Sequence, residues 1–201
     1  MQDFLSQHWD ESQTEISQFE SEHAEDERQG LNPPALGSSQ LESVVAYIDW
    51  LMEQDRKSTP LKSLQGKIWE EGYKKGILKS QLFSDVPTAF RNWQQRICIF
   101  SSGSVLAQKL LFTYTEFGDL SKFISGWFDT NIGNKQAATS YHHIAAALQT
   151  EADEILFVSD VTAELEAART AGMQTRLVVR PGNPPQSNAQ NFQSITSFDE
   201  L

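Results

Sequence analysis

Residues 97–104, Ile-Cys-Ile-Phe-Ser-Ser-Gly-Ser, decide the fold of this 201-residue chain. The first four residues form a short apolar run bounded by polar ones, which is typical of a strand buried on both faces of a parallel sheet. Two further runs have the same form, at 155–158 in EILFVSD and at 176–179 in TRLVVRPGN. Helical patterns separate the three runs, so the sequence predicts an α/β fold in which helices cover both faces of a parallel sheet.

The chain before this sheet contains helical patterns only. Four apolar residues recur at the spacing of one helix face: Val44, Tyr47, Ile48 and Leu51. Thr59 and Pro60 are typical of a helix cap followed by a first-turn proline. The Gly-, Pro- and Ser-rich stretch at 30–39 predicts a loop after a first helical region at 1–29. We therefore expect two domains, a helical one at 1–80 and an α/β one at 81–201.

The composition limits the partners of the protein. With 27 acidic and 16 basic residues, the formal charge is −11, and no basic cluster offsets it, so we expect no nucleic-acid partner. No stretch approaches the roughly 20 apolar residues of a membrane span, so we expect no membrane insertion. The single cysteine, Cys98, lies between Ile97 and Ile99, which predicts a buried strand position in a reducing, cytoplasmic compartment.

Two small motifs suggest an anion-binding site. Ser101 and Ser102 follow a strand, where a turn of small residues lets backbone amides approach a phosphate. The alternative is that this turn only caps the next helix. Lys135 precedes a helical pattern at 136–149. A positive charge is slightly unfavourable at a helix N-terminus, so an anion bound by both the lysine and the helix N-terminus would explain its position. The alternative is an ordinary solvated lysine.

A third motif suggests a metal ligand. Asp160 follows the apolar run at 155–158, and Glu164 comes one helical turn later. Carboxylates at the carboxyl end of a strand are common oxygen ligands of Mg²⁺. The alternative is that Asp160 caps the following helix. His142 and His143 are adjacent on a predicted helix and do not share a face, so we expect surface positions rather than metal ligands.

The order of these motifs, a hydroxyl turn, a lysine and an acidic strand end, resembles that of the haloacid dehalogenase phosphatases. More closely, IFSSGSVLAQKLLF, FISGWFDTNIGNKQAATSYHHIA, ILFVSDVTAELEAARTAGMQTRLVVRPGN and GKIWEEGYKKGIL resemble the enolase-phosphatase family, also called acireductone synthase. The resemblance covers about residues 65–201. It implies a bifunctional hydrolase of L-methionine salvage that converts 2,3-diketo-5-methylthiopentyl-1-phosphate into the acireductone 1,2-dihydroxy-5-methylthiopentene-3-one and phosphate.

The resemblance also implies roles for individual residues. Ser101 and Ser102 would bind the phosphate, Lys135 would neutralise it as a catalytic residue, and Asp160 would bind the cofactor Mg²⁺. Glu164 would support the metal from a second shell. Residues 1–80 would form an all-helical cap over the small-molecule phosphorylated diketone, and the enzyme would be a monomer. Trp69 and Tyr73 either face the methylthio group or pack in the core, and we expect packing.

Members of the family begin with a strand that carries a DxEGT-like motif and its aspartate nucleophile. Residues 1–201 contain no such segment, so we expect a haloacid dehalogenase-like sheet that lacks its first, central strand, between the strands that end at Ser101 and Asp160. We expect translation to start upstream of Met1, and the 201-residue chain to be unstable alone because buried side chains lose their partners. The alternative function is a catalytically inactive phosphate-binding module of the same fold.

Overall fold

The computed structural model describes residues 1–37, 39–56 and 58–201, and it divides the chain into two compact units, Met1–Leu78 and Lys79–Leu201. Ser38, within the loop predicted at 30–39, lies outside the described residues. The other residues of that loop form no helix or strand, and Gly30 lies in a turn. In the described part of the chain, we find no helix with the length and apolar character that a bilayer crossing requires.

The first unit is all-helical, as predicted. Its helices are α1 (Gln2–Gln7), α2 (Gln13–Arg28), α3 (Gln40–Glu53) and α4 (Thr59–Lys74). The predicted apolar face of α3 is buried against residues of α1, α2 and α4, with Tyr47, Ile48 and Leu51 fully inaccessible. Ser58, rather than Thr59, is the N-cap of α4, and its hydroxyl accepts a hydrogen bond from Leu61 N at 3.4 Å.

A buried carboxylate links three elements of this helical unit. Asp26 of α2 is 1% exposed, and it accepts hydrogen bonds from Tyr47 Oη at 2.6 Å and from Arg56 Nη2 at 2.9 Å. A buried charge is tolerated only where it is paired and hydrogen-bonded in this way. The interaction therefore fixes the segment after α3 against α2.

The expectation that Trp69 packs in the core was wrong. Its side chain is 47% exposed on α4, whereas Tyr73, one turn later, is half-buried. The inward face of α4 is already filled by Leu61, Leu64 and Ile68, and Trp69 follows Ile68 at about 100° around the helix axis.

The second unit alternates strands and helices. Its helices are α5 (Val86–Asn92), α6 (Val105–Thr113), α7 (Ala138–Leu148) and α8 (Thr162–Thr170), and its strands are β1 (Ile97–Phe100), β2 (Ile124–Phe128), β3 (Leu156–Ser159), β4 (Gln174–Val178) and β5 (Ser194–Ile195). All strand pairs are parallel. Among the described residues they form two sheets, one of order β1-β2 and one of order β3-β4-β5.

Helices cover both faces of the strands, which confirms the predicted fold class. On one face, Ile97 and Ile99 of β1 pack with Phe90 of α5. On the other face, Phe100 packs with Tyr141 of α7, in a cluster that also contains residues of α8. The carboxyl ends of β1 and β3 each lead into a helix, α6 and α8, and this arrangement places the loops that carry the sequence motifs.

The two sheets are separated at the position where the resemblance places a further strand. In the part of the chain that the structure describes, β1 pairs only with β2 and β3 pairs only with β4. Tyr141 spans the separation, because its ring lies 5.7 Å from that of Phe100 on β1 and 4.9 Å from that of Phe157 on β3. The halves of the sheet are therefore held side by side by α7.

This separation corrects the prediction that the strands are buried on both faces. In β1 only Ile97 is buried, and Leu156 of β3 is 40% exposed. Cys98, expected to be buried, is half-buried, and desolvation raises the pKa of its thiol. Strands with an unpaired edge keep part of their side chains accessible, which their apolar sequence alone does not reveal.

β2 and β5 were not predicted from the sequence. Gly126 interrupts the apolar pattern of β2, yet it pairs with Cys98 of β1, and a Cβ at this position would lie 2.8 Å from Cys98 Sγ. A side chain at position 126 would therefore displace the Cys98 thiol. β5 has only two residues, too few for a periodic pattern.

Candidate functional site

Ser101 and Ser102 form a tight turn between β1 and α6. Gly103 N donates to Ser101 Oγ at 3.1 Å, and Ser101 N donates to the carbonyl of Phe128 at the end of β2. A serine hydroxyl that accepts one hydrogen bond still has its own hydrogen to donate. Ser102 is exposed. The helix cap is instead Ser104, whose Oγ accepts from Ala107 N at 3.2 Å, so capping does not account for Ser101 and Ser102.

Lys135 lies in the loop before α7, three residues ahead of its first residue, and not at the helix N-terminus as expected. The loop is fixed by hydrogen bonds from Tyr141 Oη to the Lys135 carbonyl at 2.6 Å and from Ser140 Oγ to the Asn134 carbonyl at 2.7 Å. Burial, and then the charge of Glu164, raise the pKa of Tyr141, so its hydroxyl remains a donor.

Glycine is required in this loop. Gly133 has a φ of +141°, and a Cβ there would lie 2.2 Å from Ser140 Oγ. No other residue combines this backbone conformation with so close a contact. The position of Lys135 therefore depends on Gly133.

The ammonium group of Lys135 is held by Glu164 of α8. Lys135 Nζ lies 2.8 Å from Glu164 Oε2, and the same oxygen accepts a hydrogen bond from Ser159 Oγ at 2.8 Å. The side chain of Glu164 is only 10% exposed and that of Lys135 is 23% exposed. Lys135 Nζ also lies 5.8 Å from the centre of the Phe100 ring. The lysine is therefore an ordered, partly buried cation rather than a freely solvated one.

Asp160 follows β3 directly, and its carboxylate does not cap α8. The N-cap of that helix is Val161, which makes no side-chain cap, and the N–H of Thr162 is bonded by Gln186 Oε1. Instead, Asp160 Oδ2 accepts a hydrogen bond from Asn183 Nδ2 at 2.9 Å. The capping alternative considered for Asp160 is therefore wrong.

These contacts place Lys135 next to the neighbours of Ser101 and Asp160. Lys135 contacts Phe100, which precedes Ser101, and it contacts Glu164, which is bonded to the neighbour of Asp160. Lys135 thus lies beside the carboxyl ends of β1 and β3, which lead into the hydroxyl turn and Asp160, at the edge where open α/β sheets bind ligands. His142 and His143 are exposed on α7, as expected.

The carboxylates of this site can contribute to a metal site but do not form one alone. The described residues include no group of three or more His, Cys, Asp or Glu side chains that could hold a metal ion. Magnesium, however, is commonly held by one or two carboxylates together with substrate phosphate and water. Asp160 accepts its hydrogen bond from a neutral amide, whereas Glu164 is paired with a cation. Asp160 therefore fits such an ion as its protein ligand.

Two residues that shape the site, Gln108 and Asn183, were not predicted from the sequence. Gln108 Nε2 donates to the carbonyls of Gly103 and Phe128, both at 2.9 Å, and so ties the hydroxyl turn to β2. Asn183, the partner of Asp160, follows β4 in the segment RPGN. Its place at the carboxyl end of a parallel strand is the signal that could have found it.

Comparison with known proteins identifies similar sequences over most of the chain. A family model described as haloacid dehalogenase-like hydrolase matches residues 6–172. The enolase-phosphatase E1 of Synechococcus elongatus is 52% identical over 194 residues, which cover 95% of this chain and 80% of that protein. The enolase-phosphatase E1 of Drosophila persimilis is 41% identical over an alignment that covers all of this chain and 83% of that protein.

Solved structures agree with these sequence matches. The crystal structure of the UTR4 protein of Saccharomyces cerevisiae has a TM-score of 0.75 and 38% sequence identity, over 80% of this chain and 75% of that one. A dehalogenase structure with an intermediate complex has a TM-score of 0.55 over 96% of this chain, at 16% identity, and so shows a likeness of fold only.

Proposed function

The chain belongs to the enolase-phosphatase family of haloacid dehalogenase-like hydrolases, and we propose that it converts 2,3-diketo-5-methylthiopentyl-1-phosphate into the acireductone and phosphate in methionine salvage. The observation that supports the proposal is the position of Lys135, which lies beside Phe100, the residue before Ser101, and is paired with Glu164, which accepts a hydrogen bond from Ser159, the residue before Asp160. The relatives are named as enzymes, so nothing favours the alternative of an inactive phosphate-binding module.

Ser101, Ser102 and Lys135 would bind the phosphate group. The Ser101 hydroxyl and the exposed Ser102 offer donors at the turn, and Lys135 offers a positive charge held in place by Glu164. An ammonium group has three donors, and one of them is used by Glu164, so the others remain for phosphate oxygens. A preorganised cation of this kind stabilises the charge that develops on a transferring phosphoryl group.

Asp160 would hold the cofactor, for which Mg²⁺ fits the oxygen ligand. When bound, such an ion neutralises phosphate charge and polarises the phosphorus–oxygen bonds. Glu164 was expected to support the metal, but its hydrogen bonds to Lys135 and Ser159 favour the role of holding the lysine. We assign the role of nucleophile to no described residue.

The helical unit, Met1–Leu78, would serve as the cap that excludes water from the reacting centre. The acidic composition and the half-buried, single cysteine favour a cytoplasmic location and a small-molecule partner, and we retain the monomer as the expected state.

The test is phosphate release by the native protein that contains this chain. With the phosphorylated diketone and Mg²⁺, we expect Lys135→Ala to lower phosphate release by about 10²- to 10³-fold, because it removes a preorganised charge from the transferring group. Lys109→Ala is the matched control, since Lys109 is exposed on α6, and it should retain normal activity. Equal activity of Lys135→Ala and the control would contradict the proposed site, as would full activity in a metal chelator.

A further inference from the structure

Asn183 uses both ends of its side-chain amide. Its Nδ2 donates to Asp160 Oδ2 at 2.9 Å, and its Oδ1 accepts from Arg180 N at 2.6 Å. The backbone N–H of Asn183 donates back to the Arg180 carbonyl at 3.0 Å, so residues 180–183 form a closed turn. Gly182, with a φ of +93°, supplies the left-handed conformation that this turn needs. The asparagine is therefore fixed by its own loop before it contacts Asp160.

Arg180 fixes this turn to the rest of the second unit. Its guanidinium group binds the carboxylate of Asp85 and the carbonyl of Thr196, and the side chains of both Arg180 and Asp85 are only 10% exposed. The same group lies over the rings of Phe83, at 4.7 Å, and Phe198, at 5.3 Å. A loop held by a buried ion pair and two aromatic rings has little freedom to move, so the position of the Asn183 amide is well defined.

The partner of Asp160 differs in charge from the partner of Glu164. An amide N–H orients a carboxylate without neutralising it, whereas the ammonium group of Lys135 compensates the charge of Glu164. The terminal torsion of an aspartate is broad and roughly two-fold, so a single fixed donor to one oxygen selects the direction of the other. Asp160 is thus the carboxylate of this site that is oriented by a neutral donor.

From these contacts we infer that Asn183 is a positioning residue, which orients the carboxylate of Asp160 so that Oδ1 is available to a divalent cation. The inference rests on the proposed function, in which Asp160 is the protein ligand of the metal. Partners that orient a metal-binding side chain typically change metal affinity or activity by about 10- to 100-fold when they are removed.

The experiment measures metal binding without substrate. Mn²⁺ serves as the probe, and its free concentration is followed by electron paramagnetic resonance in the native protein and in Asn183→Ala. We expect Asn183→Ala to raise the Mn²⁺ dissociation constant by about 10- to 100-fold. The Mg²⁺ concentration for half-maximal phosphate release should rise in parallel, while saturating Mg²⁺ should restore most of the turnover. Asn92→Ala, at an exposed asparagine of α5, should change neither value.

A second variant separates orientation of Asp160 from formation of the turn. Asn183→Ser keeps the backbone hydrogen bond from residue 183 to the Arg180 carbonyl and the left-handed Gly182, so the turn stays closed, but its hydroxyl is one bond too short to reach Asp160. We expect Asn183→Ser to weaken Mn²⁺ binding as Asn183→Ala does, with a melting temperature close to that of the unsubstituted protein. Wild-type metal binding in Asn183→Ser would show that the residue only closes its loop, and would overturn the inference.

Asp160→Asn distinguishes failure of this inference from failure of the proposed function. If Asp160→Asn leaves Mn²⁺ binding unchanged, the metal ligand itself is misassigned and the proposed site fails. If Asp160→Asn abolishes binding while Asn183→Ala and Asn183→Ser bind as the unsubstituted protein does, the metal site stands and only the positioning role of Asn183 is overturned.

Discussion

Replacing Glu164 by glutamine should release Lys135 without changing the shape of the site. Glu164 Oε2 accepts a charged hydrogen bond from Lys135 and a neutral one from Ser159, both at 2.8 Å. Hydrogen bonds to charged groups contribute about 1.5–3 kcal/mol and neutral ones about 0.5–1.5 kcal/mol. Glutamine still offers an oxygen to Ser159, and the lysine is 23% exposed, so we expect a net loss of about 1–2 kcal/mol.

Two assays test this expectation. A loss of this size lowers the melting temperature of a unit that spans Lys79–Leu201 by roughly 3–8 °C. Because Lys135 is then free to leave the phosphate position, kcat/KM for phosphate release should fall by about 10- to 100-fold, through kcat more than KM. The matched control is Glu166→Gln on the same helix, since Glu166 is 58% exposed and pairs with Arg169 at the surface.

The result that would refute this reasoning is a Glu164→Gln protein with the same melting temperature and the same kcat/KM as Glu166→Gln. The ion pair with Lys135 would then contribute nothing to the site. A fall in melting temperature with unchanged kcat/KM would make Glu164 a structural residue, and would separate it from the chemistry.

Three further expectations concern stability. Gly133→Ala should destabilise the second unit by about 2 kcal/mol or more and abolish phosphate release, whereas Gly30→Ala, where the added Cβ meets open space, should cost about 1 kcal/mol in a denaturant titration. Burial raises the pKa of Asp85, but its hydrogen bonds outweigh burial and lower the pKa overall. The contribution of Asp85 to stability is therefore complete above about pH 4 and is lost as the pH falls through the lower pKa of the folded state. Asp85→Asn should flatten the acid limb of the curve of stability against pH, and an unchanged limb would contradict this. Asp26→Ala should destabilise the helical unit by about 3 kcal/mol, measured as a lower denaturant midpoint, while the exposed Asp49→Ala should stay within about 0.5 kcal/mol.

Residues at strand ends were predictable from the sequence because two local signals coincide there. Ser101 and Asp160 each follow an apolar run and precede a helical pattern, and the carboxyl ends of parallel strands share one edge of a sheet. The buried face of α3 was equally predictable, since it depends only on helical spacing. These features need no knowledge of which elements become neighbours.

Features that depend on tertiary neighbours were not predictable. The choice between metal and lysine as the partner of Glu164 requires knowing that α8 lies beside the loop before α7. The role of Asn183 requires knowing that the loop after β4 reaches the end of β3. The exposure of Trp69 and the partial burial of β1 and β3 depend on how many neighbours each element has, and an apolar sequence does not encode that number.

The most direct test of the account is a crystal structure of the native protein that contains this chain, grown with Mg²⁺ and inorganic phosphate. We expect phosphate oxygens within hydrogen-bonding distance of Ser101 Oγ and Lys135 Nζ, and a Mg²⁺ ion coordinated by Asp160 Oδ1 while Asn183 remains bonded to Oδ2. A phosphate bound away from the ends of β1 and β3, or a metal ion that does not contact Asp160, would contradict the central claim.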